Sequence, residues 1–395
     1  MINLAVLFGG RSVEHEVSVI SAIQAIYSMD RERFNIIPVY ITKNNEMYIG
    51  DCIADINEYK NIPGLLKKSQ RVIMSNSGAN VVLSPYPQKV FGNKKETVVD
   101  VVFPIVHGTN VEDGTLQGYL KHMGVPFAGC DVMSSAIGMD KYVQKCVLKY
   151  NNIPVLDCLR FTLEHYKNVD GMVTEIEEKL GYPVIVKAAN LGSSVGISVA
   201  KDRNSLYHSI DDSFTYAKKI IVEHAITNLR EINCSVLGDE NEAIASEIEE
   251  PFHSKEILSY KDKYQSNGSK GGSKGMAGVS RQIPANVPAE MRDRIRSLAV
   301  ESFKALGCRG VARIDFMIDV DNGELYFNEI NTIPGSLSFY LWEPTGMPYK
   351  ELLNRCVDLA LKAQREEEAI TFSFDTNLLS TASLGGSKGS KGGKL

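Results

Sequence analysis

Arginine and aspartate alternate in ARIDF (Arg313, Asp315), and glutamate and asparagine alternate in NEIN (Glu329, Asn331). A period of two puts each pair on one face of a strand. If a turn at residues 319–323 folds the two runs into a hairpin, the faces coincide and three oxygen donors share a small patch with a guanidinium. Such oxygens suit Mg2+, which leaves its other positions to water and substrate phosphate. Arg313 would neutralise charge developing on a phosphoryl group or an oxyanion. A surface hairpin with weak ion pairs has the same composition. The Pro334-Gly335 turn directly after Asn331 favours the chemical reading, because it offers backbone N–H groups to an anion. A second signal is Lys187, which ends PVIVK before GSSVG at 192–196. Glycines let the backbone approach a phosphate and the lysine supplies a point charge. The spacing is not that of a Walker A loop, and alone it describes an ordinary turn.

The elements that must hold these residues follow from the patterning. Residues 2–8 (INLAVLF) form an apolar run ended by Gly9-Gly10, as expected of a parallel strand buried on both faces. A helix is expected from Ser12 onward, with Glu14 and Glu16 in its first turn. Residues 34–41 and 98–106 read as further strands, the second closing on His107-Gly108 before a helix over 115–123. Strands alternating with helices imply an open α/β sheet whose ligands collect at the carboxyl ends of its strands, where Gly9, Gly10, Glu14 and His107 meet. Residues 134–150 read as one helix, a second, smaller domain follows with strands at 183–188 and 197–200, and further strands are expected at 220–224 and 232–237. A polar stretch rich in Gly, Ser and Lys at 266–278 is too long for an ordinary connection and is expected to be a functional lid or a disordered segment. A helix over 287–306, strands at 310–318 and 324–331 and a terminal helix over 349–363 complete the pattern. Residues 383–395 (SLGGSKGSKGGKL) cannot build a core and are expected to be disordered.

With 395 residues, 44% of them hydrophobic and 23% charged, the chain has the composition of a soluble protein of two or three domains. Its net charge of −5 gives no basic field to collect nucleic acid, which leaves small molecules as partners. Seven scattered cysteines without a CxxC pair indicate neither a zinc site nor a disulfide framework. The apolar start is too short to span a bilayer and no later run reaches about 18 apolar residues, so a cytoplasmic protein outside any membrane is expected.

In combination the motifs are specific. The lysine-ended strand before GSSVG, the Arg-x-Asp strand and the Glu-x-Asn-Thr-x-Pro-Gly strand resemble the ATP-grasp ligases. GGRSVEHEVS at 9–18, HGTNVEDGTLQGYL at 107–120, MDK at 139–141 and KY at 263–264 narrow the likeness to the D-alanyl-D-alanine ligase family, from about residue 3 to about residue 365. The resemblance implies an α/β, ATP-grasp fold of three domains. These are an N-terminal open α/β (pre-ATP-grasp) domain at 1–138, a small central domain at 139–221 and a catalytic domain at 222–372 with a lid loop at 254–284, followed by a tail at 373–395. It implies that ATP and Mg2+ or Mn2+, as two ions, serve to join two D-amino acids through an acyl phosphate for peptidoglycan synthesis. A homodimer is compatible with it.

Carried over by position, the resemblance makes Glu14 the anchor for the first substrate's ammonium group, tied to Ser193 and Tyr264. Lys141, Lys187 and Lys263 hold ATP phosphates, Glu223, His224 and Ile226 meet the adenine, and Glu231 meets the ribose. Arg313 and Gly335 stabilise the oxyanion; Asp315, Glu329 and Asn331 bind metal. His107 lies near the first substrate, and Tyr340 and Leu341 near the second. The match weakens after Pro334-Gly335, where SLSFYLWEP has Tyr340 in place of the family's serine. Such a change resembles the D-serine-using branch linked to vancomycin resistance, while Lys263-Tyr264 agrees with dipeptide-forming enzymes. D-alanine ranks first as second substrate and D-serine next, since an apolar pocket discriminates poorly against one added hydroxyl. A regulatory module that had lost turnover should lack a metal ligand or Arg313, and all are present. A Rossmann dehydrogenase should carry GxGxxG after the first strand, and it is missing.

Overall fold

The computed structural model describes residues 1–87, 96–192, 196–252 and 281–372. Among these residues the strands form three sheets. The first contains β1 (Ile2–Gly9), β2 (Phe34–Ile41), β3 (Met47–Ile49), β4 (Gln70–Ser77), β5 (Asn80–Pro85), β6 (Thr97–Val99) and β7 (Val101–Pro104), in the order β6-β5-β4-β3-β2-β1-β7. Only β1 with β2 and β1 with β7 run parallel, and the rest of the sheet is an antiparallel extension. Leu4 to Phe8 are wholly buried, as the apolar run requires of a strand covered on both faces.

Side-chain hydrogen bonds mark three departures from the expected elements. The strand expected over 98–106 is broken at Asp100, whose carboxylate accepts the Asn3 amide at 2.7 Å. The first helix, His15–Ser28, starts later than Ser12 because the Ser12 hydroxyl accepts the Glu14 amide at 2.9 Å, a bond that competes with helical pairing. Glu14 therefore occupies the position just before this helix, without a side-chain capping bond, rather than its first turn. The single helix expected over 134–150 is two, Val132–Met139 and Lys141–Tyr150. Asp140 ends the first and caps the second by accepting the amides of Tyr142 and Val143.

The second sheet, in the order β10-β9-β11-β8, pairs β8 (Cys158–Thr162), β9 (Val184–Ala188), β10 (Ile197–Ala200) and β11 (Lys219–His224), all antiparallel. Val184, Val186, Ile220 and Val222 pack against Leu206 and Ile210 of the helix Arg203–Tyr216 and against Val173 and Ile176 of the helix Val169–Lys179. By alternation, Lys187 and Glu223 point away from those helices. The third sheet has the order β14-β13-β12-β15-β16, from β12 (Leu229–Gly238), β13 (Ala243–Pro251), β14 (Arg281–Gln282), β15 (Gly310–Asp319) and β16 (Glu324–Asn331). Ile232, Cys234, Val236, Ala312, Ile314 and Phe316 face the helix Ala289–Ala305 through Ile295, Ala299 and Phe303. The alternate residues, Asn233, Arg313 and Asp315 among them, form the opposite, polar face. The terminal helix Tyr349–Glu368 returns to the first core, burying Leu352, Leu353, Cys356 and Val357 there.

Candidate active site

The expected hairpin is present. β15 and β16 pair with Arg313 opposite Asn331 and Asp315 opposite Glu329, and a bulge follows Asp315. Arg313 grips Asp315 with two bonds of 2.7 Å, and Asn331 Nδ2 donates to Asp315 Oδ2 at 3.0 Å. The row continues across the sheet, because Asp315 stands opposite Asn233 of β12 and Asn233 opposite Glu249 of β13. Asn233 donates to Glu249 at 3.0 Å.

Two lysines reach this sheet from the other side. Lys141, at the start of its helix, places Nζ 2.9 Å from Glu329 and donates to the Leu191 carbonyl at 2.8 Å. Lys187 donates to Glu223 at 2.8 Å and to Asn328 of β16 at 3.1 Å. Lys187 thus bridges the second and third sheets, while Lys141 ties its helix and the Leu191 carbonyl to Glu329 of the third. The segment 225–228 joins β11 to β12 beside them; His224 is exposed, Ile226 is half-buried, and the Ala225 amide between them donates to the Pro183 carbonyl. Glu14 closes the third side. A Cβ added to Gly192 would lie 3.1 Å from its Oε2, and one added to Gly108, whose φ is +87°, would lie 2.9 Å from it. Ser193, Lys263 and Tyr264 lie outside the described residues, as does most of the expected lid loop.

The profile of the D-ala D-ala ligase N-terminus matches residues 3–130, and that of its C-terminus matches residues 147–358. The chain belongs to the D-alanine–D-alanine ligase family. It is 37% identical over 379 residues to the D-alanine–D-alanine ligase of Thermosipho melanesiensis, covering 96% of this chain and 98% of that one. The ligase of Acetivibrio thermocellus is 40% identical over 374 residues, 91% and 96% of the two chains. Among solved structures, the VanG D-Ala:D-Ser ligase of Enterococcus faecalis has a TM-score of 0.75 at 31% identity, over 91% of this chain and 99% of that one. The D-alanine-D-alanine ligase of Coxiella burnetii has 0.74 at 27%, over 93% and 97%. The fold is also that of the Bacillus anthracis ligase solved with ATP, with a TM-score of 0.64 at 24% identity over 93% and 100% of the chains.

The electrostatics of this cluster are dominated by burial. Glu223 has no exposed surface; burial alone would raise its carboxyl, but Lys187 and Lys145 bring it down to about 2. Lys145 Nζ lies 2.7 Å from Glu223 Oε1, opposite Lys187 on Oε2. Lys145 was not singled out from the sequence, although its spacing of four from Lys141 puts both on one helix face. Burial raises Asp315, and the neighbouring charges of Glu329 and Glu231 act in the same direction against Arg313. Glu231, on β12 opposite Met317, thus belongs electrostatically to the Asp315 cluster. These oxygen donors suit a hard divalent cation, which would relieve the crowding of like charge. As placed, Asp315 and Glu329 are engaged by Arg313 and Lys141, and no three acidic, histidine or cysteine groups among the described residues converge in ligand geometry.

His107 is buried and spent on protein contacts. Its Nδ1 lies 2.8 Å from the Ile333 carbonyl and its Nε2 3.1 Å from the Ser21 hydroxyl, which also accepts the Ser336 amide. These partners assign a neutral ring with the proton on Nδ1. Burial lowers its pKa to about 4. Glu112, also missed from sequence, accepts the amides of Gly108 and Ile333 at 3.0 Å each, and burial followed by the charge of Glu14 raises its carboxyl to about 8. After Gly335 the backbone makes a left-handed turn at Ser336, Leu337 and Ser338, each with φ near +51°. Such residues cost on the order of 1 kcal/mol apiece, offset here by full burial of Leu337 and Leu341 and by Trp342 Nε1 donating to Ser235. The turn delivers Tyr340, whose hydroxyl donates to Glu249 at 3.1 Å.

Proposed function

We propose that this ATP-dependent ligase joins two D-alanines to D-alanyl-D-alanine, releasing ADP and phosphate, for peptidoglycan precursors. The first substrate's carboxylate attacks the γ-phosphate of ATP to give an acyl phosphate; the amine of the second attacks that carbonyl and phosphate leaves. Two anions that repel must be aligned, so catalysis is chiefly positioning and charge compensation. The observation that supports this most strongly is the convergence of Lys141, from its helix, and Lys187, from the second sheet, on β16, at Glu329 and Asn328. In this reading they exchange Glu329 and Glu223 for phosphate oxygens. Arg313 and the Gly335 amide face the developing oxyanion. Glu14 holds the first ammonium group in concert with Ser193 and Tyr264, and Lys263 serves the γ-phosphate. Glu223, His224 and Ile226 line the adenine side and Glu231 the ribose. His107 is a positioning residue for the 333–336 turn, and Tyr340 and Leu341 border the second substrate. Mg2+ or Mn2+ held by Asp315, Glu329 and Asn331 would screen phosphate charge.

The test is phosphate release from ATP by the purified protein with Mg2+ and D-alanine, then with D-serine added. Release that depends on D-alanine is expected; release indifferent to any D-amino acid rejects the reading. The similarity to the VanG D-Ala:D-Ser ligase favours D-serine as the second possibility, and the yield of mixed dipeptide decides it.

A further inference from the structure

The polar row on the third sheet does not stop at Glu249. Arg281 of β14 is opposite Pro251, two residues beyond Glu249 and hence on the same face. Its Nη1 donates to Glu249 Oε2 at 3.1 Å, and its guanidinium lies 4.1 Å from the centre of the Tyr340 ring. Glu249 also accepts from Tyr340 and Asn233, so it serves as a fixed anchor with three donors around it. The arginine side chain is only 13% exposed. A ring on one side and a carboxylate on the other therefore hold a planar cation beside Tyr340.

The chemistry of the second step requires a cation in this region. The attacking amino acid must lose its ammonium proton to become a nucleophile, after which its carboxylate leaves it with a net negative charge. It then approaches an acyl phosphate beside Asp315, Glu329 and Glu231. In the reading above Arg313, held to Asp315 by two bonds, serves the developing oxyanion. A guanidinium presents a planar fork that matches a carboxylate, and stacking on a ring keeps that fork oriented.

We propose that Arg281 binds the carboxylate of the second amino acid, with Tyr340 as the platform that orients it. This assignment rests on the ligase reading above. It makes Arg281 a specificity determinant for acceptors that carry a carboxylate, where the family's serine is replaced by Tyr340.

The test separates the two half-reactions by the choice of acceptor. Hydroxylamine is a neutral amine without a carboxylate. Its nitrogen attacks the acyl phosphate, the C–O bond to phosphate breaks, phosphate leaves, and the amine proton passes to buffer, giving a hydroxamate. Arg281→Met should raise the second-site KM for D-alanine about 100-fold, the scale of losing a charge-assisted pair, while hydroxamate formation stays within about twofold of the unaltered enzyme. Arg281→Lys, which keeps the charge but loses the fork, should fall between them with the same unaltered hydroxamate rate. An equal fall in dipeptide and hydroxamate for both variants overturns the assignment, since a merely structural arginine would affect both acceptors alike. An unchanged second-site KM in either variant also overturns it. If the unaltered enzyme forms neither product, the ligase reading itself fails.

Discussion

Replacing Lys145 with methionine removes one of two cations that hold Glu223 ionised in a place without solvent. The folded carboxyl is at about 2 against an ordinary 4.5. That difference of about 2.5 units at 1.36 kcal/mol each is worth about 3 kcal/mol of stability. The two lysines lie at 2.7 and 2.8 Å, so they share this stabilisation almost evenly, and they also cancel the burial penalty. Removing Lys145 should therefore cost at least half of the net, about 2 kcal/mol, and up to the ~4 kcal/mol seen when a buried pair is broken. The sign with pH is definite. A depressed carboxyl contributes stability that is present above pH 4.5 and lost as pH falls from 4.5 to about 2. In Lys145→Met the folded carboxyl sits closer to 4.5, so this acid-induced loss should be smaller and complete at a higher pH. The assay is urea unfolding at pH 5, 6 and 7 for the parent, Lys145→Met, Glu223→Gln and the double variant. A coupling of about 2 kcal/mol between the two positions is expected. Lys145→Met within about 0.5 kcal/mol of the parent at all three pH values, with no coupling to Glu223, would refute the reasoning.

Three further outcomes follow from the same geometry. Asp315→Asn and Glu329→Gln should each lower Mg2+-dependent phosphate release at least ~100-fold with circular dichroism unchanged; full activity in both would falsify the metal assignment. His107 binds its proton more weakly folded, at about 4, than unfolded, at about 6.5, so its contribution is complete above pH 6.5 and declines by about 3 kcal/mol as pH drops to 4. In His107→Asn the thermal midpoint should vary less over that interval than in the parent. Gly310→Ala should lose more than about 2 kcal/mol, because φ is +79° and the new methyl would lie 2.8 Å from the Gly129 backbone; a neutral change in the unfolding midpoint would contradict that contact.

Strong local patterns were legible in the sequence. β1 follows from its apolar run, the helix Thr115–Met123 falls where expected, and the β15–β16 hairpin brings Arg313, Asp315, Glu329 and Asn331 to one face as the alternation demands. What escaped had weak or distant signals. β4 reads QRVIMSNS, with polar residues at both ends, and the antiparallel extension it belongs to went unseen. The breaks at Asp100 and Asp140 arise from a carboxylate binding nearby amides, which hydrophobic periodicity does not register. Glu223 was read for its place near the nucleotide, but its pairing with Lys145 joins positions 78 residues apart, which spacing cannot reveal. Arg281 stood at the end of a loop with no pattern of its own, and only the register of β13 with β14 aligns it with Glu249.

Ile333 is held at both of its main-chain groups from one direction: the His107 ring donates to its carbonyl and the Glu112 carboxyl accepts from its amide. Recognition written in the backbone is indifferent to the side chain. Evolution can therefore exchange one apolar residue for another at this position without loosening the joint, yet proline is barred there because the amide is needed. The permanent part of the agreement lies in the two polar residues on the opposite bank, separated from it by more than two hundred positions of chain.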